Sequence, residues 1–169
     1  MNSVTHIVPL IVPIAEQHIE GFRAAIDSVA RERRYLALLE APPEADTRKY
    51  VRDNIAGGTP HLVALADGKV VGWCDVAVRP RSTQQHSGTL GMGVIGEYRG
   101  KGIGRALMQA TLAAARTRGI RRIELTVRVD NEPAKRLYES FGFVTEGLCK
   151  RHMCIDGQFI DSWLMALLP

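Results

Sequence analysis

The segment Arg99-Gly100-Lys101-Gly102-Ile103-Gly104-Arg105 joins two pieces of chain with different periods. Before it lies an extended, apolar run that ends at Val94. After it, Gly102 to Arg118 carries Ile103, Leu107, Ala110 and Ala114 at helical spacing, with Gly119 placed to stop the helix. Three alternating glycines remove the Cβ atoms that would block a ligand from the backbone, and they tolerate positive φ where amides must converge. The helix beginning near Gly102 aims its free N–H groups and the positive end of its dipole at the same place. Arg99, Lys101 and Arg105 add charge-assisted donors. Such a cradle suits a pyrophosphate; an ordinary glycine-rich turn beside solvated basic residues is the competing reading. A second pattern, Gly91-Met92-Gly93-Val94-Ile95-Gly96, matches G-x-G-x-x-G literally. A dinucleotide fingerprint must open a helix directly after its strand, yet Glu97-Tyr98-Arg99 intervenes and no helix is expected at Gly96. A P-loop would end its glycines in G-K-[ST] to supply a hydroxyl for magnesium, and Gly104-Arg105 does not. No metal is therefore called for.

Working outward, His61 to Ala66 and Val70 to Val78 flank Asp67-Gly68, a strong hairpin signal, and Ser87 to Val94 follows as a third strand. Upstream, His6 to Ile11 reads as a short strand. Ala15 to Leu39 carries helical spacing at Ile19, Phe22, Ile26 and Val29, enough for one or two helices, and Asp46 is placed to cap a further helix that reaches Ile55 and stops at Gly57-Gly58. Downstream come a β-branched strand, Ile123 to Val129, and a helix, Glu132 to Phe141. Two final strands, Phe143 to Ile155 and Phe159 to Leu168, are joined by Asp156-Gly157. Strands in a run, then strand and helix in alternation, then a hairpin argue for an α+β fold with a mixed sheet, since a doubly wound fold would alternate throughout.

The 169 residues suit one domain with its own core, and no linker or repeat divides them. A formal charge of +4 is too weak, without a groove-entering motif, to argue for nucleic acid. The cluster Arg116, Arg118, Arg121 and Arg122 reads more simply as cations at a helix C-terminus. Cys74, Cys149 and Cys154 form no C-x-x-C pair, which suggests a reducing compartment rather than disulfides or zinc. The start lacks a basic n-region and no apolar run is long enough to span a bilayer, so the expectation is a cytoplasmic protein with no membrane partner.

Arg99-x-x-Gly102-x-Gly104, then a long helix, a strand, and Asn131-x-x-Ala134-x-x-Leu137-Tyr138-x-x-x-Gly142-Phe143, resembles the acetyl-CoA-binding core of the GNAT N-acetyltransferases. The likeness runs from about Val63 to the C-terminus. It implies a GNAT-like single domain, residues 1–169, whose mostly antiparallel sheet splays between the strands ending at about Val94 and Val129 and is flanked by helices. It implies acetyl-CoA as co-substrate, with Met92, Gly93 and Val94 pairing with the pantetheine arm and the amides of Gly100, Lys101, Gly102, Ile103, Gly104 and Arg105 under the pyrophosphate. Asn131 and Ala134 would complete the cofactor site, although Asn131 also suits a helix N-cap. Tyr138 resembles the family's general acid for the departing thiolate; a core aromatic on the stripe of Leu137 and Phe141 is the alternative.

Acyl transfer needs a neutral amine, and Asp75, Glu97, Glu124, His86 or a water chain are candidates for the base. An α-amine of pKa ~7.8 is about 14% neutral at pH 7 and a lysine amine about 0.04%, so a site without an obvious base favours an α-amine. Arg122-Ile123-Glu124-Leu125-Thr126-Val127 and Val129-Asp130-Asn131-Glu132-Pro133-Ala134, with the ending Asp156-Gly157-Gln158-Phe159-Ile160-Asp161, are similar to bacterial L-amino-acid N-acetyltransferases. That likeness implies a small-molecule amine acceptor, free amino acids among them. Relatives with much the same ending resemble the acyltransferases of protein N-termini and of polyamines or antibiotics, and a CoA-binding sensor without chemistry is the reading from another class. The apolar strand Phe159 to Leu168 can pair across a homodimer; core burial accounts for it equally.

Overall fold

The computed structural model describes residues 9–169. Seven strands form one sheet in the order β1-β2-β3-β4-β5-β7-β6. They are β1 (Leu10–Pro13), β2 (His61–Ala66), β3 (Lys69–Val78), β4 (Ser87–Val94), β5 (Arg122–Arg128), β6 (Val144–Ile155) and β7 (Gln158–Leu167). Every neighbouring pair is antiparallel except β4 with β5. Asp67 and Gly68 both take positive φ, +49° and +75°, and Asp156 and Gly157 repeat this with +52° and +76°. Those are the values a two-residue type I′ hairpin demands.

Helices cover both faces. On one face α1 (Ile19–Arg31) buries Ile19, Phe22, Ile26 and Val29 against Val63 and Trp73, and α2 (Glu44–Gly57) adds Val51. On the other, α3 (Ile103–Thr117) buries Ile103, Leu107, Thr111 and Ala115, and α4 (Glu132–Ser140) follows β5. Gly58 and Gly119, in left-handed conformation at φ +60° and +84°, terminate α2 and α3.

Several local expectations change. The first strand lies at Leu10–Pro13, and the part expected at residues 6–8 falls outside the described residues. The apolar spacing of Ala15 to Leu39 yields one α-helix after a 3-10 turn at Glu16–His18; Arg33, at φ +57°, turns the chain away, and residues 32–43 are irregular. Asp46 does not cap α2. Pro43 does so through its carbonyl, which accepts from the amides of Asp46 and Thr47, while Asp46 sits in the first turn. The buried face of α3 is wider than the expected stripe: Thr111 and Ala115 continue the four-residue steps from Ile103 over β3 and β2, while Ala110 and Ala114 are partly buried against the same core. Finally, β7 is hydrogen-bonded to β5 on one side and β6 on the other. It has no free edge, so the expectation that Phe159 to Leu168 pairs across a dimer is overturned.

Candidate active site

β4 decides where ligands can enter. The amide of Ile95 donates to the carbonyl of Val71 and that of Arg79 donates to the carbonyl of Ser87, both at 3.0 Å. Hydrogen-bonded pairs alternate along an antiparallel ladder, so odd-numbered residues of β4 face β3 and Leu90, Met92 and Val94 turn N–H and C=O the other way. On that side β5 pairs only with Ser87, Gly88 and Thr89. Beyond Thr89 the strands part. A cleft of about 540 Å³ opens beside Met92, Gly93 and Val94, and is also lined by Gly102, Asn131 and Tyr138.

The three glycines of the loop do different work. Gly100 and Gly102 need positive φ, +72° and +82°, and an added Cβ would meet nothing within 4 Å. Gly104 needs neither positive φ nor extra room, since its φ is ordinary and an added Cβ would make plain contacts, 3.4 Å from Leu137 and 3.5 Å from Met92. Gly102 caps α3 at the edge of the cleft, so the unpaired amides of the first turn face the ligand space. One 3-10 turn, Gly96–Tyr98, does follow β4 where no helix was expected, but the α-helix starts only at Ile103.

The charged side chains of this loop are partly engaged already. Arg99 donates from Nε to the Val94 carbonyl at 2.8 Å, holds both carboxylate oxygens of Glu32 at 2.7 and 2.5 Å, and stacks on Tyr35 at 4.4 Å. It therefore ties residues 32–43 to the end of β4. Lys101 lies over the Tyr98 ring, and Arg105 stacks on Phe141 and donates to the Ser140 hydroxyl at 3.2 Å. Gly93 turns its backbone to Trp73, and a Cβ there would stand 2.3 Å from the indole. Met92 is thus the residue of the expected trio with both backbone groups directed into the gap and no protein partner recorded for them.

Asn131 caps α4: its Oδ1 accepts from the Ala134 amide at 3.3 Å, with Pro133 in the first turn. Both Asn131 and Ala134 line the cleft. Tyr138, on α4, is buried in the core cluster yet also lines the cleft. Burial, and secondarily the nearby Cys74 thiol, pushes its phenol above the ordinary value, so it is protonated at neutral pH.

Of the candidates for the base, Glu97 and His86 are exposed. Glu124 is held by Arg122 at 2.7 Å and by Arg79, which pull its carboxyl below the ordinary range. Asp75 lies elsewhere, in a second cavity of about 550 Å³ that shares Met92 with the first. Residues from α1, α2 and residues 36–38 wall this cavity; sequence reasoning missed them, since nothing local marks Tyr50 or Leu36 as a site residue.

Residues 24–143 match the Acetyltransferase (GNAT) family. The chain belongs to that family. It is 33% identical over 133 residues to the L-amino acid N-acetyltransferase AaaT of Escherichia coli, covering 78% of this chain and 82% of that protein. It is 34% identical over 125 residues, 73% of each chain, to the N-alpha-acetyltransferase RimI of Mycobacterium tuberculosis. A crystal structure of a GNAT-family acetyltransferase from Streptococcus pneumoniae superimposes with a TM-score of 0.89 at 27% identity, over 95% of this chain and 99% of that one. The mixed α+β architecture with its splayed sheet is the family's fold, and the chain is an N-acetyltransferase that uses acetyl-CoA. The matched region starts at residue 24, well before Val63, so the likeness reaches into α1.

Proposed function

We propose that the protein, acting through residues 1–169 as one domain, transfers the acetyl group of acetyl-CoA to the primary amine of a small molecule by direct attack in a ternary complex. The observation that carries this reading is the pair of cavities meeting at Met92. A thioester seated in one presents its carbonyl to an amine seated in the other, with no covalent enzyme intermediate needed.

The pantetheine arm adds to β4 as a short strand, using the N–H and C=O that Met92 turns into the cleft. The pyrophosphate lies on the amides of Gly100 to Arg105, with Lys101 and Arg105 as mobile counter-charges and Arg99 acting as a strut. When the tetrahedral intermediate collapses, Tyr138 protonates the leaving thiolate. A phenol near ~10 against a thiol near ~8.5 makes that transfer uphill by about 2 kcal/mol in water, and burying the phenol makes it a poorer donor still. Proximity of the phenol to the sulfur offsets this, because a thiolate in the same apolar space is equally poorly solvated.

AaaT is named for L-amino acids and RimI for N-alpha acetylation, and both names support an amine as the acceptor. Its three free cysteines suit a cytoplasmic setting. The test is thiol release from acetyl-CoA across an amine panel, alongside calorimetric titration with CoA. Turnover that falls sharply in Tyr138→Phe is expected. CoA binding without turnover on any amine would favour the sensor reading.

A further inference from the structure

The second cavity has a chemistry of its own. Most of its wall is apolar, with Phe22, Ile26, Leu36 and Trp73 among the contributors, and its acidic groups are Asp75 and Asp46. No lysine, arginine or histidine is among the residues that line it. Asp75 lies on β3, is 6% exposed, and accepts a 2.5 Å hydrogen bond at Oδ2 from the Tyr50 hydroxyl of α2. Its Oδ1 faces the side of β4 where Gly91 has no side chain; a Cβ there would stand 3.4 Å away. A buried carboxylate with one oxygen held by Tyr50 and the other beside Gly91, in a cavity whose lining holds no basic side chain, lacks a cationic partner.

We infer that this cavity receives an apolar primary amine with no carboxylate beside its nitrogen, an alkyl- or arylalkylamine, and that Asp75, held by Tyr50, takes the proton that makes the amine nucleophilic. The inference rests on the acetyl-transfer reading above. An α-amino acid would bring its own carboxylate beside the buried Asp75 and the exposed Asp46, with no basic side chain in the lining to receive it, and like charges near a buried carboxylate disfavour one another. The N-terminal turn of α2, which borders the cavity, offers no substitute because Glu44 and Asp46 already place negative charge there.

The groups facing Asp75 are consistent with a working base. From α2 come Tyr50 and Asp46, and from β2 comes His61, the direct cross-strand partner of Asp75. His61 is buried and its pKa is pushed down to about 4, so it stays neutral; Asn54 of α2 donates to its Nδ1 at 3.0 Å. α1 and β4 contribute apolar side chains and glycine backbone to this wall. Burial raises the Asp75 carboxyl to about 6, against which the Tyr50 hydrogen bond acts. The same apolar surroundings lower the pKa of an ammonium, so donor and acceptor approach one another.

In the balanced step, R–NH3⁺ gives one proton to the Asp75 carboxylate and the freed lone pair forms the new N–C bond at the thioester carbonyl. The C–S bond breaks, the sulfur takes the proton of Tyr138, and the second nitrogen proton restores Tyr138. Asp75 then releases its proton to solvent. The sum is R–NH3⁺ and acetyl-CoA giving the amide, CoA–SH and H⁺.

The test compares 2-phenylethylamine with L-phenylalanine, isopentylamine with L-leucine, and a peptide with an N-terminal leucine, by thiol release from acetyl-CoA. Each amine should exceed its amino acid in kcat/KM by about tenfold or more. Because the base must be ionised, kcat/KM should rise with pH through about 6. Asp75→Asn should lose about a hundredfold in kcat/KM and the acid limb with it. Tyr50→Phe should move that limb to higher pH, since it removes a bond that favours the ionised carboxyl. Unchanged calorimetric CoA binding shows that the variants are folded. Amino acids that match or exceed the amines, turnover confined to the peptide, or an Asp75→Asn enzyme with an unchanged pH profile would each overturn the inference and leave acetyl transfer standing. Failure of every acceptor would overturn both.

Discussion

The two cavities that meet at Met92 are nearly equal in volume, about 540 and 550 Å³, and are built differently. The glycine-loop cleft adds exposed backbone to its side chains: parted strands, two glycines at positive φ and the first turn of α3 lie beside Tyr35, Leu137 and Tyr138. The Asp75 cavity is largely side chain, gathered from α1, α2, residues 36–38, β3 and β4. Backbone recognition tolerates few residue types, because a Cβ or a negative φ would spoil it. Side-chain recognition can be rebuilt by substitution at any of a dozen places. One half of the molecule is therefore suited to an invariant cofactor and the other to a variable acceptor.

That contrast can be broken at named residues. The largest expected effect is Tyr138→Phe, which should cut kcat by about a hundredfold or more while leaving CoA affinity unchanged, as steady-state rates and calorimetry will show. Gly93→Ala comes next. Its Cβ would stand 2.3 Å from the Trp73 indole, between the two cavities, and overpacking of that kind should cost about 1–3 kcal/mol in denaturant unfolding. Gly102→Ala forces a side chain into φ +82° without a clash, and should weaken CoA binding or stability by about 1 kcal/mol. The Arg99–Glu32 pair, each side chain about a third exposed, should show a coupling under about 1 kcal/mol in a double-mutant cycle. Gly104→Ala should change least, because its Cβ would meet Leu137 at ordinary contact distance. If Gly104→Ala instead proves worse than Gly102→Ala, the division of labour among the loop glycines is wrong.

How much could be read in advance follows the same line. The hairpins at Asp67-Gly68 and Asp156-Gly157 were legible because two adjacent positive φ values restrict the residues that fit. So was the glycine loop ahead of α3, which lines the cleft beside β4. Asn131 as a cap and Tyr138 on the buried stripe of α4 were legible from local spacing. The partner of Arg99 was not legible: its guanidinium reads as a phosphate donor and lines the cleft, while Glu32, sixty-seven residues away in sequence, holds it. Asp75 appeared only as one of four candidates for the base. Its distinction comes from a bond to Tyr50, twenty-five residues distant, which no spacing rule could anticipate.

The sequence by itself determined the element order, the α+β class, the hairpin turns and the glycine loop ahead of α3, because each depends on periodicity or on φ preferences confined to a few adjacent residues. Only the tertiary structure decided which carboxylate is buried, which arginine is already paired, that β7 is an interior strand, and that the cavity around Asp75 is acidic and apolar. Those properties depend on the desolvation and pairing of groups that are far apart along the chain and become neighbours only when the sheet and its helices pack.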